Sequence, residues 1–435
     1  MGESATELPV QTTLRAENPG VFLCQWAGLL GMAVLLALVL WRPASGFGVY
    51  DEPFYIRYAE LIDRVGISKA FLNHLPGSPG PLVALVQYAF KPLTKFGMPG
   101  MRLVNSFLLA LVVMILWEIY RLRGAKNPLA SSLASLAIPA TWIMSGLAMS
   151  EMPAVLFVTL SLLFITRWLL VGDDETTRIW LYAFAGGLCL GVGALGRQTF
   201  LALMGAPILY AIFYRKQVVA VAIFCAAAMV PVLPVFLVWG DIMPPSPLRV
   251  HSGLSPVHAI LSFGYMGLFF LILAPRWFYR KVIPVAAIFL ATLAINSVGG
   301  FLQIAPTALA QHRLSGFWLA SYKNVVSSAL LALGIVFLVS LAVRVSERRN
   351  DPQFVFLTAG LFLLGLVPIM VSNNYSNRYT ACALPLIILV SGDYGPETRA
   401  KALRMIVGIG LGVFYLVSYL FFSPGWELPW SSVIQ

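Results

Sequence analysis

Charge is what this sequence has least of. Asp, Glu, Lys and Arg make up only 11% of its 435 residues, against about 25% in an ordinary soluble domain. So few charges cannot cover a globule with solvated side chains, which excludes a water-soluble enzyme and a disordered chain. Cysteine is scarce too. Cys24, Cys189, Cys225 and Cys382 lie in or beside apolar runs with no Cys-x-x-Cys spacing, so neither a disulfide framework nor a zinc site is expected. Internal repeats, low-complexity tracts and a duplicated half with paired broken helices are all missing. What is abundant is apolar, at 59% of the residues. These proportions describe an all-α, polytopic integral membrane protein.

A spanning helix needs roughly 20 apolar residues. On that basis thirteen candidates begin near residues 21, 102, 128, 153, 180, 200, 218, 258, 282, 324, 353, 381 and 403, and the expected total is 11 to 13. The first run lacks a basic segment ahead of it, so it reads as a retained helix and not a cleaved signal. The net charge of +11 does not point to nucleic acid, because the cations sit in small groups between apolar runs. With the N-terminus placed in the cytoplasm, most basic residues fall in cytoplasmic segments, among them Arg121, Arg123, Arg276, Arg344, Arg348 and Arg404. The expected topology is therefore N-in, C-out. It comprises one membrane domain over 1–435, a flexible cytoplasmic stretch over 1–20 and a long extracytoplasmic loop over 42–101.

The same count leaves a small titratable set outside: Asp51, Glu52, Glu60, Asp63, Glu151, Asp241, Glu427 and all four histidines. Asp51 and Glu52 open a stretch in which Phe54, Tyr58, Leu61, Ile62 and Val65 recur at helical spacing, so an amphipathic juxtamembrane helix is expected. The pair either hangs over a cavity mouth or, with Pro53 in the first turn, caps that helix. His74 and a proline–glycine turn follow, then a second apolar piece of about 15 residues that carries Lys91 and Lys95 and is too short to span. Glu151 lies in a loop too short to leave the bilayer surface; it too reads as functional or as a helix start.

GVGALG, residues 191–196, is a literal G-x-G-x-x-G. It has no strand before it, so close helix packing is expected there and dinucleotide binding is not. Arg197 follows with no acidic neighbour in sequence, and an arginine at membrane depth needs an anionic partner from the protein or from a ligand. Arg249, His251 and His258 lie in a proline-rich loop whose spacing does not suit a metal pair. Arg378 and Tyr379 stand at the outer start of the twelfth apolar run.

Taken together these residues resemble the GT-C superfamily of membrane glycosyltransferases that use polyprenyl- or dolichyl-phosphate sugars. The motif order is most similar to that of the dolichyl-phosphate-glucose α-1,2-glucosyltransferase family. The matching motifs are Asp51-Glu52-Pro53-Phe54-Tyr55, Ser78-Pro79-Gly80, Arg102-Leu103-Val104-Asn105, Arg197-Gln198-Thr199 and Asn377-Arg378-Tyr379, over roughly residues 45 to 385. Pro53 departs from that family's pattern, where a hydrophobic residue follows the acidic pair.

The resemblance implies catalysis by Asp51 and Glu52, with Asp51 as the general base. It implies a donor phosphate bound by Arg197, Arg378, Lys91 and Lys95, and sugar or acceptor contacts from Glu151, His74, Gln198, Tyr379, His251 and His258. It implies no metal or other cofactor, a polyprenyl-phosphate sugar donor, and a glycan, lipid or protein acceptor. The setting is a bilayer, either a bacterial inner membrane with the site facing the periplasm or the endoplasmic reticulum. A transporter or flippase for an anionic lipid or solute would use the same arginines without needing a base. A non-catalytic membrane scaffold would not need isolated cations at membrane depth.

Overall fold

A computed structural model of the protein describes residues 18–41, 48–75, 79–172, 174–245, 254–279, 285–302, 304–371 and 375–429. Most of the expected N-terminal stretch 1–20, the start of the 42–101 loop, and Ser78, Arg249 and His251 lie outside the described residues.

All thirteen expected runs fall on helix. Among the described residues, however, only nine helices are long and apolar enough to cross a membrane, or ten if a bent pair counts as one span. They are Pro19–Trp41, Gly100–Leu122, Glu151–Leu170, Thr176–Gly196, Val218–Trp239, Pro256–Leu273, Gly316–Glu347, Pro352–Met370 and Arg399–Phe422. The shortfall from 11 to 13 has local causes. The run at 128 bends by 81° at Pro139, which has no N–H to continue the helix and disfavours helical backbone in the residue before it. The indole of Trp142 donates to the Leu136 carbonyl freed there, at 2.8 Å. Residues 198–214 begin with a 3-10 stretch and stay short, as does Ala286–Gly299. The run at 381 forms two pieces, Asn377–Ala381 and Leu384–Gly392.

Helix 176–196 shows what its glycines are for. A Cβ on Gly187 or Gly191 would come within 2.2 Å of the Phe224 or Ala228 carbonyl of helix 218–239. Gly193 and Gly196 face Ala154 and Val158 of helix 151–170 instead. GVGALG is thus a helix-packing element, as expected.

In the loop, helix Glu52–Val65 buries Tyr55, Tyr58, Leu61 and Ile62. The second apolar piece consists of two short helices, Leu82–Ala89 and Lys91–Thr94. After the last spanning helix the chain returns to this loop, where Gly425–Trp426 pairs antiparallel with Gly48–Val49.

Candidate functional site

Asp51 and Glu52 are adjacent in sequence and take different surroundings. Glu52 is fully buried. Its carboxylate accepts Arg102 Nε at 2.8 Å and Arg102 Nη2 at 2.7 Å, from the first turn of helix 100–122. It also accepts the backbone N–H groups of Val49 and Ala148, each at 2.9 Å. Four donors on one carboxylate knit the loop to the bundle. Asp51 stands at the helix N-terminus but makes no side-chain cap bond. Its side chain is 33% exposed, and Oδ2 accepts Arg378 Nη2 at 2.8 Å. Capping, the alternative open from the sequence, is not what the Asp51 side chain does.

Asn105, one turn after Arg102, builds the facing wall. Its amide donates to the carbonyls of Met144, Leu147 and Met149 at 3.2, 2.8 and 2.8 Å. These carbonyls follow the Pro139 bend and would otherwise be orphaned in the protein interior. The turn that Asn105 holds delivers Ala148 to Glu52 and sets Glu151 at the start of the next helix. Ser150 makes no side-chain cap bond; its hydroxyl donates to that of Tyr55 at 3.1 Å. Burial, and after it the nearby Glu151 carboxylate, push the Tyr55 phenol above its ordinary value, so it stays a neutral hydroxyl.

Glu151 is fully buried, and one of its oxygens serves two arginines. Arg197 Nη2 bonds Glu151 Oε1, and Arg378 Nη1 reaches the same oxygen at 3.0 Å. Arg378 is held by three further groups: Ser376 Oγ accepts its Nε at 3.1 Å, while Tyr50 Oη and Asp51 Oδ2 share its Nη2. The result is a chain Asp51–Arg378–Glu151–Arg197, closed off by Tyr379, whose ring centre is 5.9 Å from the Arg197 guanidinium carbon. Gly80 lets the loop approach this corner. A Cβ there would lie 2.1 Å from the Leu195 carbonyl, and Gln198 is its next neighbour. Two buried polar atoms here, Arg197 Nε and the Tyr58 hydroxyl, have no hydrogen-bond partner among the described residues.

The other candidates lie elsewhere. Lys91 Nζ bonds both oxygens of Asp63 at 2.6 Å, and Lys95 is exposed. His74 Nδ1 lies 2.7 Å from the Ala70 carbonyl of its own turn. His258 Nδ1 lies 2.6 Å from the Val371 carbonyl, with its ring 5.6 Å from that of Tyr375. Among the described residues no three His, Cys, Asp or Glu side chains group as metal ligands.

Four members of the site carry little signal in the sequence. Arg102 reads in sequence only as part of a motif, although an arginine in the first turn of an apolar helix itself calls for a carboxylate. Ser376 stands two residues before Arg378 and gave no signal of its own. Tyr50 sits in the left-handed region at φ 57° and places its ring centre 4.7 Å from the Arg378 guanidinium carbon. Trp426 donates from its indole to the Tyr50 carbonyl at 2.7 Å and packs edge-on against Phe54; Arg57 Nε ties in the Leu428 carbonyl at 2.8 Å. This strap holds the backbone on which Asp51 sits.

No protein-family model and no curated protein sequence matches the chain. Solved structures do. ArnT from Cupriavidus metallidurans bound to undecaprenyl phosphate aligns over 93% of this chain and 78% of its own, at 17% identity and TM-score 0.48. The apo oligosaccharyltransferase of Archaeoglobus fulgidus aligns over 93% of this chain, at 13% identity and TM-score 0.50. The fold is of the GT-C type. The chain spans 56% of the length of that oligosaccharyltransferase. Within this GT-C fold the acid–arginine chain lies where the first loop, the 147–151 turn and the segment 376–379 converge.

Proposed function

We propose that the protein transfers a sugar from a polyprenyl-phosphate donor to an acceptor hydroxyl, on the extracytoplasmic side and with inversion. The observation that carries this reading is the asymmetry of the cluster. Asp51 is its one partly exposed acid, set against the buried Arg378 and the mostly covered Arg197, whose Nε–H has no partner among the described residues. A phosphate oxygen satisfies such an N–H, and a phosphate bound there draws Arg378 away from Asp51.

The acceptor oxygen then attacks the anomeric carbon while its proton passes to the freed Asp51 carboxylate. The bond from that carbon to the phosphate oxygen breaks, and the lipid phosphate leaves with the electron pair. Arg197 and Arg378 stabilise its developing charge, so the scheme routes no step through a metal ion. Glu151 holds the two cations at a fixed spacing, and Glu52 with Arg102 fixes the loop. Lys91, paired with Asp63, has no place in this scheme.

The motif order makes a hexose donor the first to try; the cation distribution supports a site on the extracytoplasmic side, which in a bacterial inner membrane is the periplasmic face. The test is incubation of the purified protein with polyprenyl-phosphate sugars labelled in the sugar. Release of lipid phosphate with transfer of label, abolished in Arg378→Gln, supports the reading. Label that crosses proteoliposomes with its glycosidic bond intact identifies a transporter and contradicts it.

A further inference from the structure

The opposite end of the bundle carries a second cationic site that the proposed chemistry does not use. Helices 100–122 and 151–170 start at the acid–arginine cluster, and Tyr419, near the end of helix 399–422, packs on Tyr50 there. The beginning of helix 399–422 therefore lies at the far end, together with the end of helix 256–273 and the 3-10 turn Pro275–Trp277. A depression of about 540 Å³ opens between them, lined by Arg276, Phe278, Tyr279, Arg344, Tyr394 and Arg404 among others, with no acidic residue in its wall.

Its three arginines differ in how far they are engaged. Arg344 is fully used: it donates to the carbonyls of Trp277 and Arg276 at 3.1 and 2.9 Å and pairs with Glu347 at 2.7 Å. It forms the frame. Arg404 uses only Nε, on the Ile272 carbonyl at 2.9 Å. Arg276 is exposed, and its side chain has no hydrogen bond or ion pair among the described residues. Two guanidiniums thus face one concavity with their outer N–H groups uncommitted and no carboxylate between them. Beside them runs an apolar strip: Leu403, Val407, Leu411 and Phe414 recur along one face of helix 399–422, all solvent-exposed in the isolated chain, next to exposed Leu271 of helix 256–273. A basic concavity at helix ends, directly above bilayer-facing aliphatic side chains, has the layout of a phospholipid: anionic head in the pocket, acyl chain on the strip.

We propose that this depression binds the phosphodiester headgroup of an anionic phospholipid, with Arg276 and Arg404 as its phosphate contacts and the Leu403–Phe414 strip against its chains. Free inorganic phosphate offers the same oxygens but nothing for the strip, so the two sources are separable.

The test uses the full chain in detergent, with bound lipid followed by native mass spectrometry and thermal unfolding. The probes are phosphatidylglycerol, phosphatidylcholine and inorganic phosphate. Phosphatidylglycerol is expected to be retained and to raise the unfolding temperature, while the other two do neither. Arg276→Gln with Arg404→Gln should weaken phosphatidylglycerol binding by about 10- to 30-fold, the share of two arginines near an anionic surface. Because Arg404 also supports helix 256–273, two controls accompany it. Arg276→Gln alone touches no internal bond and should still weaken binding several-fold, and Arg404→Lys should retain most of it. Equal retention of phosphatidylcholine, equal stabilisation by inorganic phosphate, or undiminished binding in the double variant would each overturn the assignment.

Discussion

Among the described residues the two ends of this bundle hold comparable numbers of ion pairs and build them differently. At the far end the pairs are mostly local and wet: Arg121 with Glu118, Arg344 with Glu347 and Arg348 with Asp351 lie three residues apart on or beside one helix. At the loop end Arg57–Glu60 is local and Lys91–Asp63 is wet too, but the pairs of Glu52 and Glu151 join distant segments and are dry. Arg102 reaches back 50 residues to Glu52, Arg378 reaches 227 residues to Glu151 and 327 to Asp51. Local exposed pairs contribute little and answer to solvent. Buried pairs cost desolvation that a well-packed apolar core would avoid. A chain with so little charge nevertheless buries Arg102, Arg378, Glu52 and Glu151 at one end, with Arg197 mostly covered beside them; such desolvated charges cost stability and gather at functional sites.

That contrast can be broken by substitution. The largest effect is expected for Glu151→Gln, which leaves the buried Arg378 and the mostly covered Arg197 without their shared carboxylate. It should cost about 3–5 kcal/mol, read as a loss of folded protein on detergent extraction and of all transfer activity. Trp426→Phe removes a single hydrogen bond and should cost about 1 kcal/mol. Because that bond holds the Tyr50 carbonyl beside Asp51, kcat should fall several-fold while the donor KM stays put. A change in KM alone would mean that the strap does not act through Asp51. The smallest effect is expected at the far end, where Glu347→Gln should shift stability by under about 0.5 kcal/mol and leave transfer unchanged. A large loss there would erase the distinction between the two ends.

Much of the site was legible because charge is scarce. Once cations that follow the positive-inside pattern are set aside, Glu151, Arg197 and Arg378 stand nearly alone in sequence and the Asp51–Glu52 pair opens the loop; Asp51, Glu151, Arg197 and Arg378 are all in the cluster. The motifs leave capping and function equally open for Asp51 and Glu151; neither Asp51 nor Ser150 closes a side-chain capping bond. Lys91 lies in the charged loop with Lys95, and its partner Asp63 is 28 residues away on a neighbouring loop helix, a separation that periodicity does not bridge. Trp426 was illegible for the same reason: its partner Tyr50 is 376 residues earlier, and a two-residue strand has no pattern to read. Among the described residues fewer helices qualify as spans than the apolar runs suggest, at Pro139 and at the short pieces, because hydropathy records apolar length and is blind to a break within it.

The central claim is that adjacent acids have separate tasks, Asp51 in the chemistry and Glu52 in the scaffold. The most direct test measures kcat for sugar transfer and unfolding stability side by side in Asp51→Asn and Glu52→Gln. Asp51→Asn should lower kcat by about 10²- to 10⁴-fold with stability nearly unchanged, and Glu52→Gln should lose stability first. Full turnover in a folded Asp51→Asn protein would contradict the assignment.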